Sequence, residues 1–153
     1  MKLNRSILIG ALATSLVGAA ALTVYAQVKR PYRDGTVWNV SFIRMKPGMD
    51  TAYLNYLATD WKRAQETAKK EGLIVSYKVL ITEAHSPNDW NLILMTEVKD
   101  LATMEANFDK ADAMFQKLVG DDQKQMQGYK DRLEIREVMG DRLAREIVLE
   151  PKP

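Results

Sequence analysis

The strongest constraint on this chain is the order in which its hydrophobic period changes after residue 35. Alternating stretches and helical stretches follow one another as strand, helix, strand, strand, helix, strand. Side chains on one face recur at every second residue in a strand and about every 3.6 residues in a helix, so the pattern predicts an α+β unit of the β-α-β-β-α-β kind. Both crossovers of such a unit lie on the same side of its sheet. The helices therefore cover one face, and the other face needs either a polar surface or a mate.

The first strand is expected from Thr36 to Met45 and stops at Lys46-Pro47-Gly48, where Pro fixes one turn dihedral and Gly supplies the positive one. A helix follows from Asp50 to Glu71, with Tyr53, Leu54, Leu57, Trp61, Ala64 and Ala68 on one stripe. Asp50 favours its start, Lys69 and Lys70 favour its end, and Gly72 closes it. Leu73 to Thr82 and Trp90 to Val98 alternate as strands, and the short polar connection Glu83 to Asp89 makes them an antiparallel hairpin. Asp100 then caps a second helix carrying Leu101, Met104, Phe108, Ala111, Phe115 and Leu118, which ends at Gly120. Asp122 with Gln125 reads as a capping box that opens an extra helix before the last strand, with Met126, Tyr129 and Leu133 on one face. Its far end is open, because Leu133 and Ile135 also suit the start of a strand. The last strand is expected from Arg142 to Leu149, before Pro151.

In each of the first three strands one parity is nearly all apolar: Trp38, Val40 and Phe42; Leu73, Val75, Tyr77, Val79 and Ile81; Trp90, Leu92, Leu94 and Val98. These are expected under the helices, which makes Trp38, Trp61 and Trp90 core residues first. The other parity mixes Val37, Ile43, Met45, Ile74, Leu80, Ile93 and Met95 with Asn39, Ser41, Ser76, Lys78, Asn91 and Glu97. Left in water, each large apolar side chain there forgoes roughly 1.5–3 kcal/mol of burial, so a mate is expected. Two copies stacked through these faces form a homodimeric α/β barrel with a partly polar interior. A roof formed by residues 120–140 would remove that need.

Residues 1–26 pose a separate problem. Lys2 and Arg5 precede an uncharged run rich in Ala, Leu and Ile that ends in Val24-Tyr25-Ala26. This is the pattern of a signal peptide cleaved after Ala26, or of an anchor if cleavage fails, and it implies export to the periplasm or beyond. Membrane contact is expected only through that segment. Residues 27–35 read as a flexible arm, leaving 36–150 as one domain. The chain has no Cys, so neither a disulfide framework nor thiol-linked lipid is available. Lys2 and Arg5 account for the whole excess of 22 basic over 20 acidic side chains. The remainder is neutral and offers nucleic acid no sustained positive field.

The strand, the Lys46-Pro47-Gly48 turn, the long helix, the hairpin and the capped second helix together resemble the dimeric α/β-barrel superfamily over about residues 36–149. That superfamily includes antibiotic-biosynthesis-type monooxygenases, EthD-like and NIPSNAP-like families, and haem-handling members. Asn88-Asp89-Trp90-Asn91 resembles a signature of an exported branch. The resemblance implies the ferredoxin-like fold and a ligand cavity between sheet and helices or inside the dimer barrel, but no single activity. Haem-handling members place a histidine ligand on a helix. The second helix here has none, so no cofactor is expected.

Chemical motifs are sparse. His85 is the only histidine; it lies in the hairpin loop and reads either as a surface residue or as a base poised near neutrality. One imidazole without thiols is a poor transition-metal set, so no metal is expected. Lys78 and Glu97 on the mixed face read either as an ion pair across the dimer or as a catalytic acid and base, with Arg145 and Glu146 as further candidates of unreadable parity. Asn39, Ser41, Ser76 and Asn91 are the candidate ligand-binding residues. Phosphate-cradling Gly loops, nucleophile elbows and zinc-type His spacings are absent from the sequence. Two classes remain: an exported module that binds a small, partly apolar ligand or simply dimerises, and a cofactor-independent oxygenase, isomerase or lyase.

Overall fold

The computed structural model describes residues 30 to 150. The expected signal peptide, residues 27–29 of the arm and Pro151 lie outside the described residues. The elements run β1 (Tyr32–Met45), α1 (Asp50–Tyr56), a π-helical turn (Leu57–Trp61), α2 (Lys62–Lys70), β2 (Ser76–Ile81), β3 (Leu92–Val98), α3 (Leu101–Ala106), α4 (Phe108–Val119), α5 (Asp122–Ile135) and β4 (Arg136–Leu149). The sheet order is β2-β3-β1-β4, and each neighbouring pair is antiparallel. That is the ferredoxin-like fold, with α5 as the extra helix before the last strand.

Local chemistry explains the joints. Lys46-Pro47-Gly48 turns with Met49 N–H donating to Lys46 O at 2.9 Å, and Gly48 takes the positive φ of 77° that such a turn requires. Asp100 caps α3 by accepting from Thr103 N–H at 2.6 Å, a bond that holds its carboxyl below the usual carboxylate range. The cap of α5 is Asp121 rather than Asp122; it accepts from Lys124 N–H at 3.0 Å while Gln125 Nε2 reaches back to Gly120 O. The expected capping box is thus replaced by a simple Asp121 cap, since the third helical residue is Lys124 and Gln125 donates to a carbonyl.

The first and last strands, β1 and β4, are longer than expected. Tyr32, Arg33 and Asp34, assigned to the arm, pair with Leu149, Val148 and Ile147. The last strand starts at Arg136 and runs through Met139-Gly140-Asp141 with an irregularity at Met139, because Phe42 pairs with Gly140 and Ile43 with Val138. The backbone ladder to β1 supplies what side-chain alternation alone did not reveal.

The register also reverses one expected parity. Directly paired residues share a face, and Ile43 pairs with Leu92, Ser41 with Leu94, Asn39 with Thr96 and Val37 with Val98. The mixed parity of β1 therefore lies under the helices, and Trp38, Val40 and Phe42 lie on the open face opposite Glu97, Met95 and Ile93. For β2 and β3 the expected parity holds. Tyr77 meets Trp61 edge-on, with ring centroids 5.3 Å apart, on the helix side, whereas Leu80 pairs with Ile93 on the open side. Trp90 also joins the open side, packing at 5.1 Å from Phe42, because Asn91 and Leu92 both stand against Ile43 and shift the alternation.

Two apolar clusters hold the helices to the sheet. Ile43, Met45, Tyr53, Leu57 and Leu92 form one, flanked by Tyr56, Trp61, Leu94, Ile135 and Val138; Ala68, Leu73 and Met114 form the other. Helix α5 lies on this same side, since Tyr129 and Arg132 face Tyr53 and Tyr56 across a cavity. The opposite face of the sheet is covered by none of the described residues' helices.

Candidate functional site

The cavity under the helices, about 300 Å³, is lined by Ser41, Ile43, Tyr53, Tyr56, Trp61, Leu94, Tyr129, Arg132, Arg136, Val138 and Asp141. Its wall on the α1 side depends on the π-helical turn. In a regular α-helix, residues five apart point about 140° away from each other. The wider turn from Leu57 to Trp61 brings Tyr56 and Trp61 to the same cavity. Tyr53 stacks on Tyr56 one turn earlier, with centroids 5.9 Å apart.

The opposite wall comes from α5 and the first residue of β4. No side chain of α5 is fully buried, so this helix is held off the sheet. Tyr129 and Arg132 follow at helical spacing, and Arg136 enters the sheet beside Met45. Arg136 is only 7% exposed, and its Nε and Nη1 have no hydrogen-bond partner among the described residues. The guanidinium lies against aromatic rings instead: 5.7 Å from the centroid of Tyr53 and 5.8 Å from that of Tyr129. Arg132 lies 5.1 Å from Tyr56 and 6.0 Å from Tyr129. Cation–π contacts of this kind return about 0.5–2 kcal/mol each, less than the several kcal/mol that burying an unpaired charge costs. Two guanidinium groups in a tyrosine cage, one of them short of acceptors, are chemically suited to an anion.

Burial pushes the Tyr53 hydroxyl up to about 12, although Arg136 pulls the other way. Burial likewise raises Tyr56, with Arg132 opposing. Both phenols thus stay protonated at neutral pH and carry an O–H able to donate. Ser41 donates to Asp141 at the cavity edge, so the one acid of the lining is already engaged.

The candidates singled out in the sequence do not converge. Ser41 reaches this cavity, while Asn39 is exposed beyond it. Asn91 serves the backbone, its Oδ1 accepting from Met45 N–H at 2.9 Å. Ser76 and Glu97 lie on the open face, where Ser76 Oγ donates to one oxygen of Glu97 and Thr36 Oγ1 approaches the other at 2.8 Å. Thr36 Oγ1 also lies 3.1 Å from Glu146, which places Glu146 beside Glu97. Lys78 pairs with no acid among the described residues; its Nζ lies 4.9 Å from the Trp38 centroid. Arg145 bonds Asp34 at 2.9 Å. His85 is exposed in the hairpin loop, its backbone N–H donating to Asp89 at 3.2 Å. Arg44 fastens that loop through Pro87 O at 2.6 Å and Asn88 Oδ1 at 3.2 Å. No group of three or more metal-ligating side chains occurs among the described residues.

Sequence reasoning missed Tyr53, Tyr56, Arg132 and Arg136 as a set. The visible signal was an aromatic stripe on the first helix facing an α5 stripe that ends in two arginines four residues apart.

No family model and no curated sequence matches the chain. Among solved structures it is similar to HapK from Hahella chejuensis, at 12% identity over 76% of this chain and 98% of that one, with a TM-score of 0.45. It is also similar to a NIPSNAP family protein with unknown function from Agrobacterium tumefaciens strain C58, at 13% identity over 78% and 93% with a TM-score of 0.45. A dimeric ferredoxin-like protein from an uncultured marine organism matches at 14% identity over 79% and 99% with a TM-score of 0.37. The ferredoxin-like assignment rests on the sheet order and connectivity of the chain itself.

Proposed function

We propose that the chain is a small-molecule-binding domain whose ligand is an organic anion held by Arg136 and Arg132 between sheet and helices. One observation carries the reading: a guanidinium almost fully withdrawn from water whose Nε and Nη1 lack acceptors. A carboxylate in the cavity that Arg136 lines supplies the counter-charge this guanidinium lacks, and the ring faces of Tyr53 and Tyr129 hold the group in place until it arrives. Titration calorimetry with benzoate and with neutral benzyl alcohol tests this. Benzoate binding is expected, with at least a tenfold loss in Arg136→Met and in Arg136→Lys, and benzyl alcohol is expected to bind far more weakly. Equal binding of acid and alcohol, or full retention of benzoate by both variants, overturns it.

The same reading includes a homodimer and export. Trp38, Val40, Phe42, Leu80, Trp90, Ile93 and Met95 share the uncovered face, a patch that a second copy would bury. The basic, apolar and small-residue order of residues 1–26 supports delivery outside the cytoplasm. The enzyme alternative has its acid and base candidates, Glu97 and Lys78, on the far side of the sheet from the arginine cavity. Binding is therefore the reading favoured here.

A further inference from the structure

A second cleft of about 640 Å³ opens between α2 and the α4–α5 pair, and Tyr56, Trp61, Tyr129 and Arg132 line both it and the arginine cavity. The two spaces adjoin across those four side chains. Beyond them the character changes. Ala64 from α2 and Phe115, Leu118 and Val119 from α4 supply an apolar wall. Phe115 and Val119 remain 38% and 45% exposed, although the second apolar cluster lies directly beneath their helix. Apart from the shared Arg132, the cleft's charged groups are Asp60 and Arg63, which bond each other at 2.9 Å and cancel.

The charge inside is equally informative. The arginine cavity holds two guanidinium groups and the single carboxylate of Asp141. One further negative charge neutralises it, whereas a dianion leaves an excess that a half-buried site tolerates poorly. Resting on the reading of Arg132 and Arg136 as an anion site, we infer that the ligand is an amphiphilic monocarboxylate, its head against Arg136 and its apolar body in the cleft beside Phe115 and Leu118. Tyr56 and Trp61 stand at the junction of the two spaces, so the π-helical turn that brings them together is the element that joins head site to body site.

The test is a calorimetric series on the purified protein: acetate, butyrate, hexanoate and octanoate, with octanol and octyl phosphate as controls. Affinity is expected to rise by up to about fourfold per added methylene as each is buried. Octanol and octyl phosphate are each expected to bind at least tenfold more weakly than octanoate. Phe115→Glu puts a charge in the cleft and is expected to flatten the series. Ala64→Leu, which narrows the same cleft, is the second variant should Phe115→Glu fold poorly. Less than a twofold gain from butyrate to octanoate, with binding still dependent on Arg136, overturns the amphiphile and leaves the anion site standing. Octyl phosphate binding as tightly as octanoate overturns the monocarboxylate head. Absence of any Arg136-dependent carboxylate binding removes the anion site itself, and this inference with it.

Discussion

The helix-covered face and the open face of this sheet differ in a way that inverts the usual expectation for each. The covered face, which should be the drier, holds Ser41, Asp141 and the buried guanidinium of Arg136 beside the packed cluster of Ile43, Met45, Tyr53 and Leu92. The open face carries Trp38, Val40, Phe42, Trp90, Ile93 and Met95, with polar groups gathered at the Thr36, Ser76, Glu97 and Glu146 end. Polar side chains on a covered parity mark a space left for something polar. Apolar side chains on an uncovered parity mark a surface that awaits a lid. Under the function proposed above, recognition falls inside one protomer and assembly on its outside.

The comparison can be broken first at its apolar half. Leu92 is fully buried in the covered cluster, so Leu92→Ala is expected to lower stability by about 2–5 kcal/mol in denaturant unfolding. The same truncation at Met95, half-buried on the open face, should cost well under half of that in dilute protein. On the open side, Val40→Asp is expected to shift the assembly toward monomer by at least a hundredfold in dissociation constant, roughly 3 kcal/mol, read by sedimentation equilibrium. Helical content should be unchanged.

A pH experiment sharpens the covered side. The Tyr53 hydroxyl titrates near 12 in the folded chain against 10 in the unfolded one. Its contribution to stability is therefore complete below pH 10 and is lost as pH rises from there through about 12. The span of two units corresponds to about 2–3 kcal/mol at most. Tyr53→Phe is expected to make the alkaline fall in stability shallower, measured by urea unfolding at pH 8 and pH 11. The smallest effect belongs to the open face: Lys78→Ala removes one exposed cation from the Trp38 ring and should cost at most about 1 kcal/mol.

Much of this architecture was legible in the alternation of the chain. The element order, the Asp100 cap, the Lys46-Pro47-Gly48 turn, the hairpin from β2 to β3 and the mixed character of one β1 parity all follow from period and turn chemistry. The register of β1 did not, because Trp38, Val40 and Phe42 look more like core than Val37, Asn39, Ser41, Ile43 and Met45 do. Hydrophobicity alone cannot tell a surface buried by its own helices from one suited to a partner. The start of β4 was hidden for a related reason: Arg136 is charged yet buried, and alternation scores it as solvent-facing. The site itself was obscured by the π-helical turn, since a 3.6-residue period does not bring Tyr56 and Trp61 to one place. Lys78, Glu97 and His85 stand out in the sequence as acid and base candidates, whereas the cavity is built largely from arginine and tyrosine side chains.

The central claim is that Arg136 is kept buried without acceptors in order to receive an anion, and chemical unfolding of the wild type and Arg136→Met, each with and without octanoate, tests it most directly. Without octanoate the variant is expected to be the more stable by about 1–3 kcal/mol, since an unpaired buried charge is replaced by an apolar side chain of similar length. With octanoate only the wild type should gain stability. A variant that is less stable than the wild type in the absence of ligand, and that gains as much from octanoate, would contradict the account.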